Sequence, residues 1–190
     1  MIGESFQPKN ICKPASYYVF ETPYWCGLRL GEKLALTPAD FDFELKIIHV
    51  IKSFRRIKGE DIITPPKTEK DIRRVLMPDF YADKMRCYIE SLQFNENDRI
   101  FPFTKSYMHH EIRRGCTASG VKRIQIHGIR HRHISLLIDM GFSAVAIADR
   151  VGHESIDITY RYAHVFPSTQ TEVVSKLNNI MTISSGCVEK

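Results

Sequence analysis

Several things are missing from this sequence, and each omission narrows its chemistry. No apolar run approaches the ~18 residues that a membrane-spanning helix needs. The first residues lack the basic-then-apolar pattern of a secretory leader. Five cysteines (Cys12, Cys26, Cys87, Cys116 and Cys187) are scattered and odd in number, with no Cys-x-x-Cys pair. That argues against a disulfide framework and a structural zinc site, and it suits a reducing cytoplasm. There is no glycine-rich phosphate loop of the nucleotide- or dinucleotide-binding type, and no His-Glu-x-x-His. Histidines do gather at His109, His110, His127, His131, His133 and His153, and His127 and His131 could share a helix face. No acidic or thiol partners stand near them at ligand spacing, so neither a metal nor any other cofactor is expected.

What the sequence does have is positive charge in segments. The net charge of the 190 residues is only +5. Between Lys105 and His133, however, seven Lys/Arg face a single acid, Glu111. From Lys52 to Arg74 there are eight Lys/Arg against four acids. Basic surface concentrated in this way suits a polyanionic partner, although a solvated basic face would look the same.

The length and the 43% hydrophobic content suit one sizeable domain. Residues 1–14 read as a tail or the remnant of a linker, 15–180 as the domain, and 181–190 as a second tail. Residues 15–36 carry a helical pattern, broken at Thr37-Pro38-Ala39-Asp40. β-branched runs at Ile47–Ile51, Ile62-Ile63 and Val75-Leu76, separated by turn residues, predict about three antiparallel strands. After Pro78 the pattern turns helical. Tyr81, Met85, Tyr88 and Leu92 mark one helix, and Thr104 to Gly120 bound another. A third starts near Arg130, a fourth runs from Ser143 to Gly152, and others follow Ser155 and Ser168. The expected fold is mainly α with a small antiparallel three-stranded β-sheet.

Some residues invite chemistry. In His127-Gly-Ile-Arg130, a histidine and an arginine three apart face the same way at a helix start. Such a pair can hold a phosphate, with the guanidinium as a fork and the imidazole as donor or proton relay. His153 sits at a helix boundary, with Tyr162 nine residues beyond it. Arg29 stands near the end of an apolar helix, where a charge is unexpected, and Lys67 lies in a turn between two strands.

Taken in order, Gly27-Leu-Arg29-Leu-Gly-Glu32 with Leu34-Ala-Leu, Lys67-Thr68, His127-Gly-Ile-Arg130-His131, Val151-Gly-His153-Glu-Ser-Ile and Tyr160-Arg-Tyr162-Ala-His164 resemble the catalytic domain of the tyrosine recombinases, the lambda-type phage and transposon integrases. The particular flavour resembles integrases of mobile elements in low-GC Gram-positive bacteria. Each piece alone is weak. The ordered set is specific and extends over about residues 15–180. The resemblance implies double-stranded DNA as substrate, cut and rejoined without metal or ATP. It implies Tyr162 as the nucleophile, forming a 3′-phosphotyrosyl link. Arg29 and Arg130 would bind the phosphate, Lys67 would protonate the departing 5′-oxygen, His127 would assist proton transfer, and His153 would donate a hydrogen bond to the phosphate. Glu32 and His131 would support these groups from behind. Tyr160 competes with Tyr162, but two residues on a helix are about 200° apart, so only one can face the site. The interval from His153 selects Tyr162.

Integrases of this type also carry a separate N-terminal domain that clamps the far side of the DNA. Only a short tail stands in its place here, so weak DNA binding is expected of this chain alone, as for a fragment or a truncated product. The family pattern also implies a monomer in solution and a tetramer on synapsed DNA. The helix expected after Ser168 would dock either on a neighbouring protomer or on its own domain. Where many integrases have an acid after the first histidine of the His-x-x-Arg motif, this chain has Gly128. Three rival readings remain at this level: a helix-turn-helix regulator, a recombinase remnant that folds without cutting, and a topoisomerase-like or telomere-resolving relative.

Overall fold

A computed structural model describes residues 14–66 and 71–153 of the chain. Its order is α1 (Pro14–Cys26), α2 (Leu30–Ala35), a 3₁₀ turn at Pro38–Asp40, β1 (Phe41–Asp42), β2 (Ile47–Val50), β3 (Ser53–Ile57), β4 (Glu60–Thr64), β5 (Arg73–Leu76), α3 (Asp79–Leu92), α4 (Lys105–Ser119), α5 (Ile126–Asp139) and α6 (Ala144–Val151). The helix-rich architecture with a small antiparallel three-stranded sheet is as expected, except that Phe41–Asp42 takes the place in it expected for Ile62-Ile63. That sheet has the order β1-β2-β5, with Phe41 opposite Ile48 and Ile48 opposite Val75. A separate hairpin pairs β3 with β4 through a two-residue turn, Lys58-Gly59, both at positive φ as a tight hairpin turn requires. Strand β3 was not foreseen. Its Ser-Phe-Arg-Arg-Ile buries only Phe54, so it shows no alternation of apolar and polar residues.

The predicted helix over 15–36 is in fact two. Gly27, at φ +68, closes α1 with its N–H on the Pro23 carbonyl, and the chain runs extended through Arg29 before α2 begins. No other residue fits at Gly27 without strain. A Cβ there would need positive φ and would lie 2.7 Å from His133 Cδ2. Arg29 therefore stands ahead of a helix rather than at the end of one.

Pro23 has a second consequence inside α1. It has no N–H to give the Val19 carbonyl one turn earlier. The wholly buried Lys33 of α2 supplies the missing donor, with Nζ 3.1 Å from Val19 O. Burial pushes the Lys33 amine down to about 7. A lysine in the core is explained by an orphaned carbonyl, and the contact fixes α2 against α1.

The main core packs α1, α2 and the sheet against α3 and α4, with Tyr81, Met85, Ile48, Leu28, Leu34, Phe101 and Met108 almost fully enclosed. Tyr18 stacks on Tyr88 at 3.9 Å between centroids. Leu92, counted on the apolar face of α3, is exposed because it falls in the last turn, beyond the core. Helix ends follow the expected chemistry. The Thr104 and Ser143 side chains accept from backbone N–H groups of Tyr107 and Ala146 at 3.2 Å, and Gly120 and Gly152 end their helices at positive φ. Helix α5 starts at Ile126, a turn earlier than expected, so His127 and Arg130 both lie within it. Ile134 and Ile138 of α5 pack on Ile147 and Val151 of α6.

Candidate functional site: arginines on two helix ends

Helix C-termini leave carbonyls without internal donors and carry partial negative charge. Two such ends, those of α1 and α6, meet here, and arginines together with one histidine, from distant parts of the chain, cap them. At α1, His133 Nδ1 is 2.7 Å from Tyr24 O, Arg150 Nη2 donates to Trp25 O at 3.1 Å, and Arg130 Nη1 donates to Gly27 O. At α6, Arg73 Nε donates to Arg150 O at 3.1 Å, Arg130 Nη2 to Val151 O at 2.6 Å, and Arg29 Nη2 to Gly152 O. Arg130 thus ties the two helix ends together from α5. Arg29 and Arg130 hold consecutive carbonyls just ahead of His153.

The arginines are braced by one buried carboxylate. Glu32 is 6% exposed and accepts from Arg73 Nη1 at 2.9 Å and Nη2 at 2.8 Å. It also accepts from Arg29 Nη1 at 2.8 Å and from the Arg29 backbone N–H at 2.7 Å. Burial by itself would push its carboxyl up, but the hydrogen bonds and charges of Arg73 and then Arg29 outweigh that and bring it to about 2. Glu32 is therefore ionised under all ordinary conditions. Because its folded value lies below the ordinary carboxylate value, its stabilising effect is full above about pH 4.5 and is lost as pH falls towards 2. Acid unfolding followed by far-UV circular dichroism should steepen in that window for the wild type. It should flatten there in Glu32→Gln.

Cations outnumber acids at this centre, and the histidines register it. Burial, then Arg130, Arg29, Arg73 and His131, hold His153 down at about 4. At neutral pH it is an uncharged imidazole, able to donate one hydrogen bond. His131 is lowered by burial, His127 and Arg130. His133, at 3% exposure, is held at about 4 by burial and by Arg150. Arg150 Nε donates to its Nε2 at 3.2 Å, so its Nδ1 must carry the proton and donate to Tyr24 O. His133 is a structural group.

Of the residues expected at a site, Arg29, Arg130 and His153 come together. His127 stands on the exposed side of α5, with its ring 5.9 Å from that of His131, which links it to the cluster. Lys67, Tyr160, Tyr162 and the helix expected after Ser168 lie outside the described residues. The ends of the 67–70 segment are nevertheless located: Pro65, Pro66 and Asp71 line one cleft with Arg29, Glu32, Lys52, Ser53 and Arg55. Among the described residues, no group of three or more His, Cys, Asp or Glu could hold a metal ion. Nor is any helix among them long and apolar enough to cross a membrane.

Sequence reasoning missed Arg73, Arg150 and Asp71. Arg73 was counted as basic surface, yet its side chain is 7% exposed and packs against Gly152, where a Cβ would meet its Nη1 at 2.9 Å. The one available signal for Arg150 was its place in the last turn of a helix, where cations are favoured.

The phage integrase family model matches residues 8–169. The chain belongs to the phage integrase family. Among its relatives, the ICEBs1 integrase of Bacillus subtilis is 33% identical over 187 residues, covering 88% of this chain and 51% of that protein. The integrase of Staphylococcus phage L54a is 29% identical over 174 residues, covering 82% of this chain and 49% of that one. The chain thus spans about half the length of the curated relatives it matches. In fold it is similar to the Tn1549 transposon integrase solved with circular intermediate DNA, with a TM-score of 0.74 at 21% identity, covering 93% of this chain and 63% of that one. It is also similar to the catalytic domain of bacteriophage HP1 integrase, with a TM-score of 0.58 at 18% identity, covering 90% of this chain and 86% of that one. The tyrosine recombinase catalytic-domain fold expected from the ordered motifs is the fold this integrase-family chain has.

Proposed function

We propose that this chain is the catalytic part of a site-specific DNA recombinase, which cuts and rejoins double-stranded DNA through Tyr162. The observation that supports it most is the convergence of Arg29 and Arg130 on the carbonyls ahead of an uncharged His153, in a member of the phage integrase family.

The chemistry follows from those groups. The Tyr162 oxygen attacks the scissile phosphorus, forming a 3′-phosphotyrosyl bond as the bond to the 5′-oxygen breaks. Extra negative charge gathers on the non-bridging oxygens, where guanidinium donors fixed in advance stabilise it without reorganising. Arg29 and Arg130 are that pair. Their anchoring to helix-end carbonyls supplies the rigidity. His153 donates a neutral hydrogen bond to the same phosphate. His127 takes the phenol proton, and Lys67 gives one to the leaving 5′-oxygen. Rejoining is the reverse, with a 5′-hydroxyl displacing the tyrosine, so the energy of the broken bond is kept and no ATP is consumed. The chain works in the cytoplasm of a bacterial host, as a monomer when free and as a tetramer on synapsed DNA. Its DNA-facing side chains lie in the basic segments 52–74 and 105–133.

A trapping assay tests this. The protein is incubated with supercoiled DNA in excess EDTA, quenched with SDS, and examined for DNA covalently attached to protein. A metal-independent adduct lost in Tyr162→Phe and kept in Tyr160→Phe is the expected result. Loss only in Tyr160→Phe would reassign the nucleophile. No adduct, even with an N-terminal DNA-clamping domain joined to the chain, would mean a domain that does not cut.

A further inference from the structure

Asp71 is an acid in the wrong place for an anion site. Its Oδ1 accepts from Arg29 Nη1 at 2.6 Å, and it lines the cleft onto which Arg29 opens. Arg29 Nη1 has two N–H bonds. One goes to Glu32 at 2.8 Å and the other to Asp71, while Nη2 spends one on Gly152 O. The two acids on this guanidinium are not equivalent. Glu32 is buried and gripped by both Arg73 nitrogens and the Arg29 backbone N–H, so it cannot leave. Asp71, its side chain 15% exposed against 7% for Glu32, lines the cleft together with Lys52, Ser53 and Arg55.

We infer that Asp71 is a built-in competitor for the anion site of Arg29, its carboxylate holding one Nη1 N–H and setting a like charge beside any phosphate that the other donors of the guanidinium take up. That the phosphate is one of DNA rests on the function proposed above; the competition itself does not. A phosphate beside Asp71 on the same guanidinium meets a like charge within a few ångströms. Engaging Nη1 as well as the other donors of Arg29 therefore requires the Asp71 carboxylate to turn away. Arg29 is held in its working position by an internal acid and handed to substrate by exchange. Loose anions in solution gain little from such an exchange, whereas a backbone phosphate also held at other points gains enough to complete it.

The test is inorganic phosphate binding by the full chain, measured by calorimetric titration and by the rise in melting temperature. Asp71→Asn should bind phosphate on the order of ten-fold more tightly than wild type, the scale of removing one like charge at a partly exposed site. Asp71→Glu, which keeps the carboxylate, should stay weak. In an Arg29→Met background, Asp71→Asn should bring no gain. Equal affinity in wild type and Asp71→Asn, or a gain that survives in Arg29→Met, overturns the inference. So does failure of both Asp71→Asn and Asp71→Ser to fold, because the acid would then be a structural requirement. A parallel titration with a labelled DNA duplex separates the two readings. A gain for phosphate without one for DNA would leave the competition standing and count against DNA as the ligand.

Discussion

Glu32→Ala should lower the stability of this domain by about 3–5 kcal/mol, the usual cost of removing one partner from a buried ion pair. The carboxylate accepts four hydrogen bonds from two arginines, and the side chains of Glu32 and Arg73 are each 7% exposed. Without it, Arg73 is left as a charge inside the protein, and Arg29 loses the contact that orients its guanidinium. The lost attraction is the smaller part of the penalty. Most of it comes from the desolvated Arg73. Glu32→Gln keeps an acceptor and the shape, so it should cost less than Glu32→Ala. The double change Glu32→Ala with Arg73→Met removes the stranded charge and should recover part of the loss. Urea unfolding of the four proteins gives the comparison. A loss under about 1 kcal/mol in Glu32→Ala would mean the pair is solvated in solution and does not brace the site.

Arg130→Lys should reduce strand cleavage by about 10²–10³-fold, the scale of losing one fixed donor to a developing oxyanion. Arg130 is 6% exposed, and its two Nη groups reach the ends of different helices, Gly27 O and Val151 O. A lysine ammonium is a point charge on a flexible stem and cannot span both carbonyls while also facing a phosphate. Retained charge should preserve much of the fold, so the loss should fall on the rate of adduct formation more than on DNA affinity. Arg130→Ala should be less stable as well as inactive, because it strands two helix-end carbonyls. Single-turnover cleavage and thermal unfolding, measured side by side, separate the two effects. Near-normal cleavage by Arg130→Lys would remove Arg130 from the transition state.

Much of this was legible in the chain. The helices after Pro78 could be read because Tyr81, Met85 and Tyr88, or Ile134 and Ile138, recur at helical spacing and do enter the core. Their ends could be read because Thr104, Ser143, Gly120 and Gly152 perform backbone chemistry that depends only on near neighbours. The hairpin strand β3 could not, since a strand that buries one residue leaves no periodic trace. The break between α1 and α2 was missed because an apolar run looks the same whether one helix or two bury it. Gly27 was the available clue, and it gains force only from the nearness of His133.

The sequence by itself determined the family, because ordered motifs preserve residue type and spacing, and it singled out the residues proposed for phosphate chemistry. It also determined local structure wherever i to i+4 interactions decide it. The tertiary structure alone decided how those residues are held. Arg29, Arg73, Arg130 and Arg150 are far apart in the chain and converge because two helix C-termini present unpaired carbonyls at one place. The same applies to Glu32 as the common counter-charge, to Lys33 as the donor that Pro23 withholds, and to Asp71 on the guanidinium of Arg29. Each is a buried polar group satisfied across the fold. Such partners are fixed by packing geometry, and spacing along the chain holds no record of them.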